Sequence, residues 1–387
     1  MKSWQPPQRD DRENNTAASI HQPSTDRLVK SLSRRSFGRR FGLFLAGVGM
    51  SSAIAACANT GTPTSTADAG ADAGAAKPPI ELTLVSYAVT QAAYEQIIPK
   101  FVEQWKQEHN QEVIFNQSYG GSGSQTRAVL DGLDADVVAL ALALDTQKLE
   151  DGGLIEPGWE TEAPNDSIVH KSVAVIITRE GNPKNIQGWE DLTRDDVQVV
   201  TANPKTSGGA RWNYLALWGA VTQKGGSEAA AEEFVTNVYK HVPVLPKDAR
   251  EATDVFYSRG QGDALINYEN EVLLAKQKGE DQPFIIPEAT ISIDNPIAVV
   301  DANVDKHGTR EVAEAFVAFL FTPEAQREFA KVGFRPVDPT VAEEFASQYP
   351  PVETLFTVSD LGGWDTIQEK FFKDGAVFDQ IQAKIGK

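Results

Sequence analysis

Sulfur is scarce in this chain, which has one cysteine and two methionines in 387 residues. A single thiol excludes an intrachain disulfide and any zinc site built on cysteines. The five histidines, His21, His109, His170, His241 and His307, stand far apart with no H-x-H or H-x-x-x-H spacing, so neither a metal nor a cofactor is expected. Positive charge is also short: 36 Lys and Arg face 54 Asp and Glu, for a net charge of −18. That balance excludes a broad electrostatic footprint on nucleic acid or on an anionic membrane. No apolar run reaches membrane-spanning length; Phe41 to Ala56 gives about 16 residues, against the roughly 20 that a spanning helix needs.

What the first residues do contain is an address. Ser33-Arg34-Arg35-Ser36-Phe37-Gly38-Arg39 reads as a twin-arginine export signal, and the apolar run follows it directly. The run closes on Ile54-Ala55-Ala56-Cys57, which resembles a bacterial lipobox, so residues 1–56 read as a signal peptide and Cys57 as the lipidated residue. Removing 1–56 would take away nine basic and four acidic side chains and leave a net charge of −23. Ala58 to Pro79 has no large apolar side chain and cannot bury enough surface to offset its ordering entropy. A flexible tether over residues 57–79 is expected, with folding starting near Ile80.

Beyond the tether, strand and helix signals alternate. Tyr94, Ile97, Ile98, Phe101, Val102 and Trp105 fall on one face of a helix, after a strand marked by Leu82, Leu84 and Val85. Val113–Phe115, Val137–Leu142, Val173–Ile177, Val197–Val200, Ala264–Ile266, Phe284–Ile286 and Ile297–Val300 read as strands, with a helix over about 210–222 and two more after Val312. Thr322-Pro323 marks the start of the last of these, a threonine cap before a proline in the first turn. This alternation predicts an α/β protein with parallel-rich sheets flanked by helices. More than 300 folded residues predict two lobes, the first from residues 80–170 plus 295–387 and the second from 171–294.

In open α/β sheets a ligand binds where strands give way to helix N-termini. Two loops there are rich in glycine and serine, Gln117 to Gln125 (QSYGGSGSQ) and Asn203 to Ala210 (NPKTSGGA). Glycine lets a backbone approach a ligand closely or take positive φ. Helix N-termini offer unpaired N–H groups and partial positive charge, a ready site for an anion. Other readings of the glycines fail: the only Gly-Lys pair is Gly386-Lys387, G-x-G-x-x-G lacks its third glycine, and G-x-S-x-G lacks its last. A hydrolase using Ser122 or Ser207 has no base at a known spacing, although a spatially assembled triad stays open.

The stretches Ser86-Tyr87-Ala88-Val89-Thr90, Gln117 to Gln125 and Asn203 to Tyr214 (NPKTSGGARWNY) resemble the periplasmic sulfate-binding proteins of bacterial ABC importers. Gly262 to Leu265, Tyr268-Glu269-Asn270-Glu271, Phe334-Arg335-Pro336 and Asp374 to Asp379 extend the likeness from about Leu82 to Gln382. The resemblance implies a type II periplasmic-binding-protein fold whose interlobe cleft closes on a dehydrated oxyanion. It also implies donors at Ala88, Ser122, Gly208, Gly209 and Ala249 through their N–H groups, at the Ser207 hydroxyl, and at Tyr268. Tyr268 and Ala88-Val89 stand where that family usually has tryptophan and Asp-Pro. A phenol accepts as well as donates, whereas main-chain N–H groups only donate. The implied role is a non-enzymatic, periplasmic receptor, monomeric and lipid-anchored, that delivers sulfate to an ABC permease in the inner membrane. Thiosulfate or molybdate is the alternative ligand. Arg211 and Arg335 are expected in surface salt bridges, Trp212, Leu215 and Ala216 in the core, and Asp263, Glu269 and Glu271 as supports for neighbouring loops.

Overall fold

The computed structural model describes residues 77–280 and 283–386. The twin-arginine motif, the signal peptide and Cys57 lie outside the described residues. The strands are β1 (Lys77–Tyr87), β2 (Gln111–Gly120), β3 (Val137–Ala139), β4 (Ile168–Thr178), β5 (Val199–Val200), β6 (Ala264–Tyr268), β7 (Phe284–Ile285), β8 (Ala289–Pro296), β9 (Ala298–Val299), β10 (Arg335–Pro336) and β11 (Thr354–Phe356). The first seven helices are α1 (Gln91–His109), α2 (Ser122–Leu130), α3 (Ala143–Asp151), α4 (Gly208–Thr222), α5 (Glu228–Lys240), α6 (Ala249–Tyr257) and α7 (Glu269–Gln277).

Two sheets form the two lobes. The first has the order β2-β1-β3-β9, and the second β11-β8-β4-β6-β5, with β7 and β10 also on β4. In the first sheet β1 runs parallel to β2 and β3, as expected. The second is mixed and corrects the parallel-rich expectation: β4 is antiparallel to β6, β7, β8 and β10. The reason is connectivity, because β4 enters this sheet from the other lobe without a crossover helix within the sheet.

Order begins earlier than expected. Lys77 already pairs with Gln111, and its N–H donates to Asn110 O at 3.0 Å. Main-chain pairing needs no large side chain, so a small-residue composition did not reveal it. The division of the chain also needs correction at its end. β11 pairs with β8 of the second sheet, Lys205 holds Asp379 at 2.9 Å, and Lys384 lies 4.0 Å from Glu232 of α5. Residues from about 354 onward therefore pack on the second sheet, and β10 (Arg335–Pro336) also pairs there.

Burial follows the sequence patterns. The α1 stripe of Tyr94, Ile97, Ile98, Phe101 and Trp105 is buried, and Phe101 packs edge-on against Phe316 at 5.1 Å between centroids. α4 is mostly apolar and buried over nearly its whole length, with Trp212, Leu215 and Ala216 in the core. Thr322 caps the helix Pro323–Lys331 by accepting from Ala325 N–H at 3.3 Å.

Candidate functional site

Five helical starts converge on one cavity. Ala88 opens the short helical turn Ala88–Thr90 that leads into α1, Ser122 opens α2, Gly208 and Gly209 open α4, Ala249 opens α6, and Tyr268 is the N-cap of α7. All of these and Ser207 line one small cavity, together with Tyr87, Val89, Gly120, Gly121, Ala141 and Asp248. The structure thus brings all seven sequence-derived residues to one place. No lysine or arginine lines it, so the positive field inside comes from peptide groups.

Donors stand ready there. The N–H groups of Ala88, Ser122, Gly208, Gly209 and Ala249 have no protein acceptor among the described residues, as helix geometry requires of first-turn amides. Ser207 caps α4, its Oγ accepting from Ala210 N–H at 3.2 Å, and its own proton meets no acceptor among the described residues. Ser122 differs. Its hydroxyl donates to Asp145 Oδ2 at 2.7 Å and accepts from Ala141 N–H at 3.0 Å, which leaves only its main-chain N–H for a ligand. Neither serine meets a histidine: His170, buried on β4, packs against Tyr87, Phe329 and Phe334.

Glycine acts here through close approach, not positive φ, since none of the loop glycines is left-handed. A Cβ on Gly121 would stand 2.5 Å from Thr206 O, across the cleft. One on Gly208 would stand 2.7 Å from Ala141 Cβ and 3.1 Å from Ser122 Cβ. Any side chain at these points would wedge the two loops apart.

Behind the loops a buried ion pair joins the lobes. Arg211 of α4 reaches Asp145 of α3 at 3.4 Å, with the two side chains 7% and 0% exposed. Burial pushes the Asp145 carboxyl up, but Arg211, Lys148 and the Ser122 hydroxyl outweigh it and hold the group below its ordinary value. Arg211 also donates through Nε to Pro204 O at 2.9 Å, while Trp212 Nε1 donates to Ala141 O at 2.8 Å. The surface position expected for Arg211 is therefore corrected, because the lobe-to-lobe contact covers it. Arg335 does form a salt bridge, a bidentate one to buried Glu269 at 2.7 and 2.9 Å. Glu271 holds Arg250 and Thr253, and Asp263 accepts from Gln198 N–H, so these carboxylates support loops as expected.

Sequence reasoning missed Tyr87, Ala141 and Asp248. Asp248 carried a readable signal: it is the N-cap of α6, its Oδ1 accepting from Glu251 N–H at 2.8 Å. A roomier cavity of about 450 Å³ near Trp159 and Val299 offers apolar side chains and Arg310, a guanidinium already paired with Asp301 and Asp305. It does not gather donors as the small cavity does.

Comparison with known proteins agrees with this geometry. The family model for bacterial extracellular solute-binding proteins matches residues 82–335. A sulfate-binding protein of Synechococcus elongatus is 58% identical over 353 residues, covering 91% of this chain and 97% of the relative. A thiosulfate-binding protein of Pseudomonas aeruginosa is 41% identical over 311 residues, covering 80% and 94%. Among solved structures, the sulfate-binding protein SubI from Mycobacterium tuberculosis is 38% identical with a TM-score of 0.70, covering 76% of this chain and 100% of that one. With a family match over most of its described length and relatives well above 30% identity, the chain belongs to the bacterial extracellular solute-binding proteins.

Proposed function

We propose that this protein captures sulfate between its lobes and delivers it to an ABC permease, without catalysing a reaction. One observation carries the reading: four helical starts turn unpaired main-chain donors into a small cavity that no cationic side chain of the described residues lines. Such a site stabilises a dehydrated anion by charge-assisted hydrogen bonds from fixed dipoles. The ligands in this reading are the N–H groups of Ala88, Ser122, Gly208, Gly209 and Ala249, the Ser207 hydroxyl and Tyr268. The lobe division follows residues 80–170 with part of the chain after 295, against 171–294 with β10 and the tail from about 354. The protein is exported through a twin-arginine signal, anchored by acyl chains on Cys57, and acts as a monomer.

Thiosulfate is the second reading, favoured by the Pseudomonas aeruginosa relative named for it. Calorimetry against sulfate, thiosulfate and molybdate tests both. Tight sulfate binding is expected, and no heat with sulfate would end the leading reading. Ester turnover abolished by Ser207→Ala would overturn the non-enzymatic role.

A further inference from the structure

The cavity of about 450 Å³ opens beside β9, the edge strand of the first sheet, and shares no lining residue with the glycine-loop cavity. Trp159, Ile297, Val299 and Val317 give it a buried apolar wall. Its volume lies within the range of small-molecule sites, roughly 300–1,000 Å³. One donor in that wall is unsatisfied. Trp159 is 1% exposed, yet its Nε1–H has no acceptor among the described residues. The indoles of Trp105, Trp189 and Trp212, buried as well, donate to Gln111 Oε1 at 3.3 Å, Ala289 O at 2.8 Å and Ala141 O at 2.8 Å. The nearby Ser167 hydroxyl is already spent, donating to Trp159 O at 2.7 Å and accepting from Ala163 N–H at 3.2 Å. A buried N–H is rarely left unpaired, so the contents of the cavity supply the acceptor that Trp159 lacks.

The rim is negative. Glu162, Glu314 and Arg310 stand there. Arg310 is engaged on every side: Nε reaches Asp305 at 2.8 Å, and Nη1 reaches Asp301 at 2.8 Å and Glu314 at 3.4 Å. No hydrogen bond or ion pair reaches the Glu162 carboxylate among the described residues. Partial shielding from solvent raises its pKa, and the charges of Asp301, Glu314 and Glu156 raise it further, with Arg310 alone acting the other way. One guanidinium thus stands among four carboxylates, those of Glu162, Asp301, Asp305 and Glu314. A cation brought to this rim would relieve their mutual repulsion.

We propose that this cavity is a second ligand site, for an organic ammonium ion whose apolar body fills it and whose carbonyl or ether oxygen accepts from Trp159 Nε1. The ammonium group lies at the rim beside Glu162 and Glu314. The apolar body replaces water against Ile297, Val299 and Val317. The site stands apart from the anion cavity, so it does not depend on what that cavity binds.

The test is calorimetry of the full protein with two probes. Phenylalanine methyl ester carries an ammonium, an apolar ring and a carbonyl; its N-acetyl derivative keeps the last two and loses the charge. The ester should bind with a Kd of about 1 mM or tighter. The N-acetyl ester should bind roughly ten-fold more weakly, for want of a charge-assisted contact. Glu162→Gln should weaken the ester about two- to five-fold, and added salt should weaken it in the parent. Ala318→Trp, at an exposed lining position on the helix Arg310–Leu320, should block the cavity and abolish binding. Thermal melts check that both variants fold; if either does not, the comparison of the two esters on the parent decides alone. Absence of ester binding at about ten times the expected Kd would overturn the proposal. So would equal affinity for the N-acetyl ester, or an ester affinity that neither substitution changes.

Discussion

At the scale of single residues, Ser207 has two tasks that one hydroxyl can perform together. Its oxygen accepts from Ala210 N–H and closes the first turn of α4, while its proton is left for the ligand. Losing the cap costs about 0.5–2 kcal/mol of stability. Losing a charge-assisted donor costs a further 1.5–3 kcal/mol or so of binding, roughly ten- to a hundred-fold in affinity. Ser207→Ala should therefore lower the urea midpoint slightly and weaken sulfate strongly, as denaturation and calorimetry on one preparation will show. An unchanged dissociation constant would remove the hydroxyl from the site. Ser122→Ala should follow another pattern, because that hydroxyl is spent on Asp145 and Ala141. Its loss would be felt through the loop's rigidity, not through a missing ligand donor.

At the scale of elements, the contact between α3 and α4 is the joint behind the site. Asp145 and Arg211 are both buried; without Arg211 the carboxylate keeps Lys148 at 3.0 Å and the Ser122 hydroxyl, whereas without Asp145 the Arg211 guanidinium loses its only carboxylate partner among the described residues. Breaking a buried pair this way costs about 3–5 kcal/mol. Asp145→Asn, which leaves the Arg211 guanidinium buried without a carboxylate, should thus destabilise the protein by that order, and Arg211→Leu by less because Lys148 remains on Asp145; the double variant should show coupling in a double-mutant cycle. Strict additivity would mean that the two side chains do not interact. β4 carries a second test in His170, whose ring nitrogens have no hydrogen-bond partner among the described residues. Burial pulls its pKa down to about 3, so the native state holds the imidazole neutral while the unfolded chain protonates it near 6.5. The stability from this group is complete above about pH 6.5 and erodes as pH falls toward 3, by up to about 1.4 kcal/mol per pH unit. His170→Phe should flatten that part of the acid limb in urea titrations, and an unchanged slope would contradict the neutral buried ring.

At the scale of the whole molecule, the long-range field and the local site have opposite signs. The full chain carries −18, and −23 once residues 1–56 are removed, yet the proposed ligand is a dianion. Helix N-termini must win within the cleft, while the distant field is screened beyond roughly 8 Å at physiological salt. Added salt should therefore leave sulfate association unchanged or speed it, as stopped-flow measurements at increasing ionic strength will show. A steep fall in on-rate would imply a basic funnel at the cleft mouth.

Composition and local pattern alone were enough to determine the α/β class, the amphipathic face of α1, the Thr322 cap and the two glycine loops. Each depends on neighbours a few residues apart, which is the range over which periodicity and capping act. Elements set by distant partners escaped. β8 alternates Ile291 and Ile293 with polar residues, but its place between β11 and β4 is fixed only by the returning chain. The pairing of Lys77 and the docking of the tail on the second lobe likewise come from partners tens of residues away or more. Arg211 looked like a surface cation because its charge is visible in the sequence, whereas the carboxylate that makes its burial tolerable lies 66 residues upstream. The cavity itself is the clearest case. Local pattern could supply the helix starts at Ser122 and Gly208, and the resemblance alone added Ala88 and Ala249, but only tertiary structure could aim them at one point with Tyr87 and Tyr268 beside them, because convergence depends on how the two lobes pack.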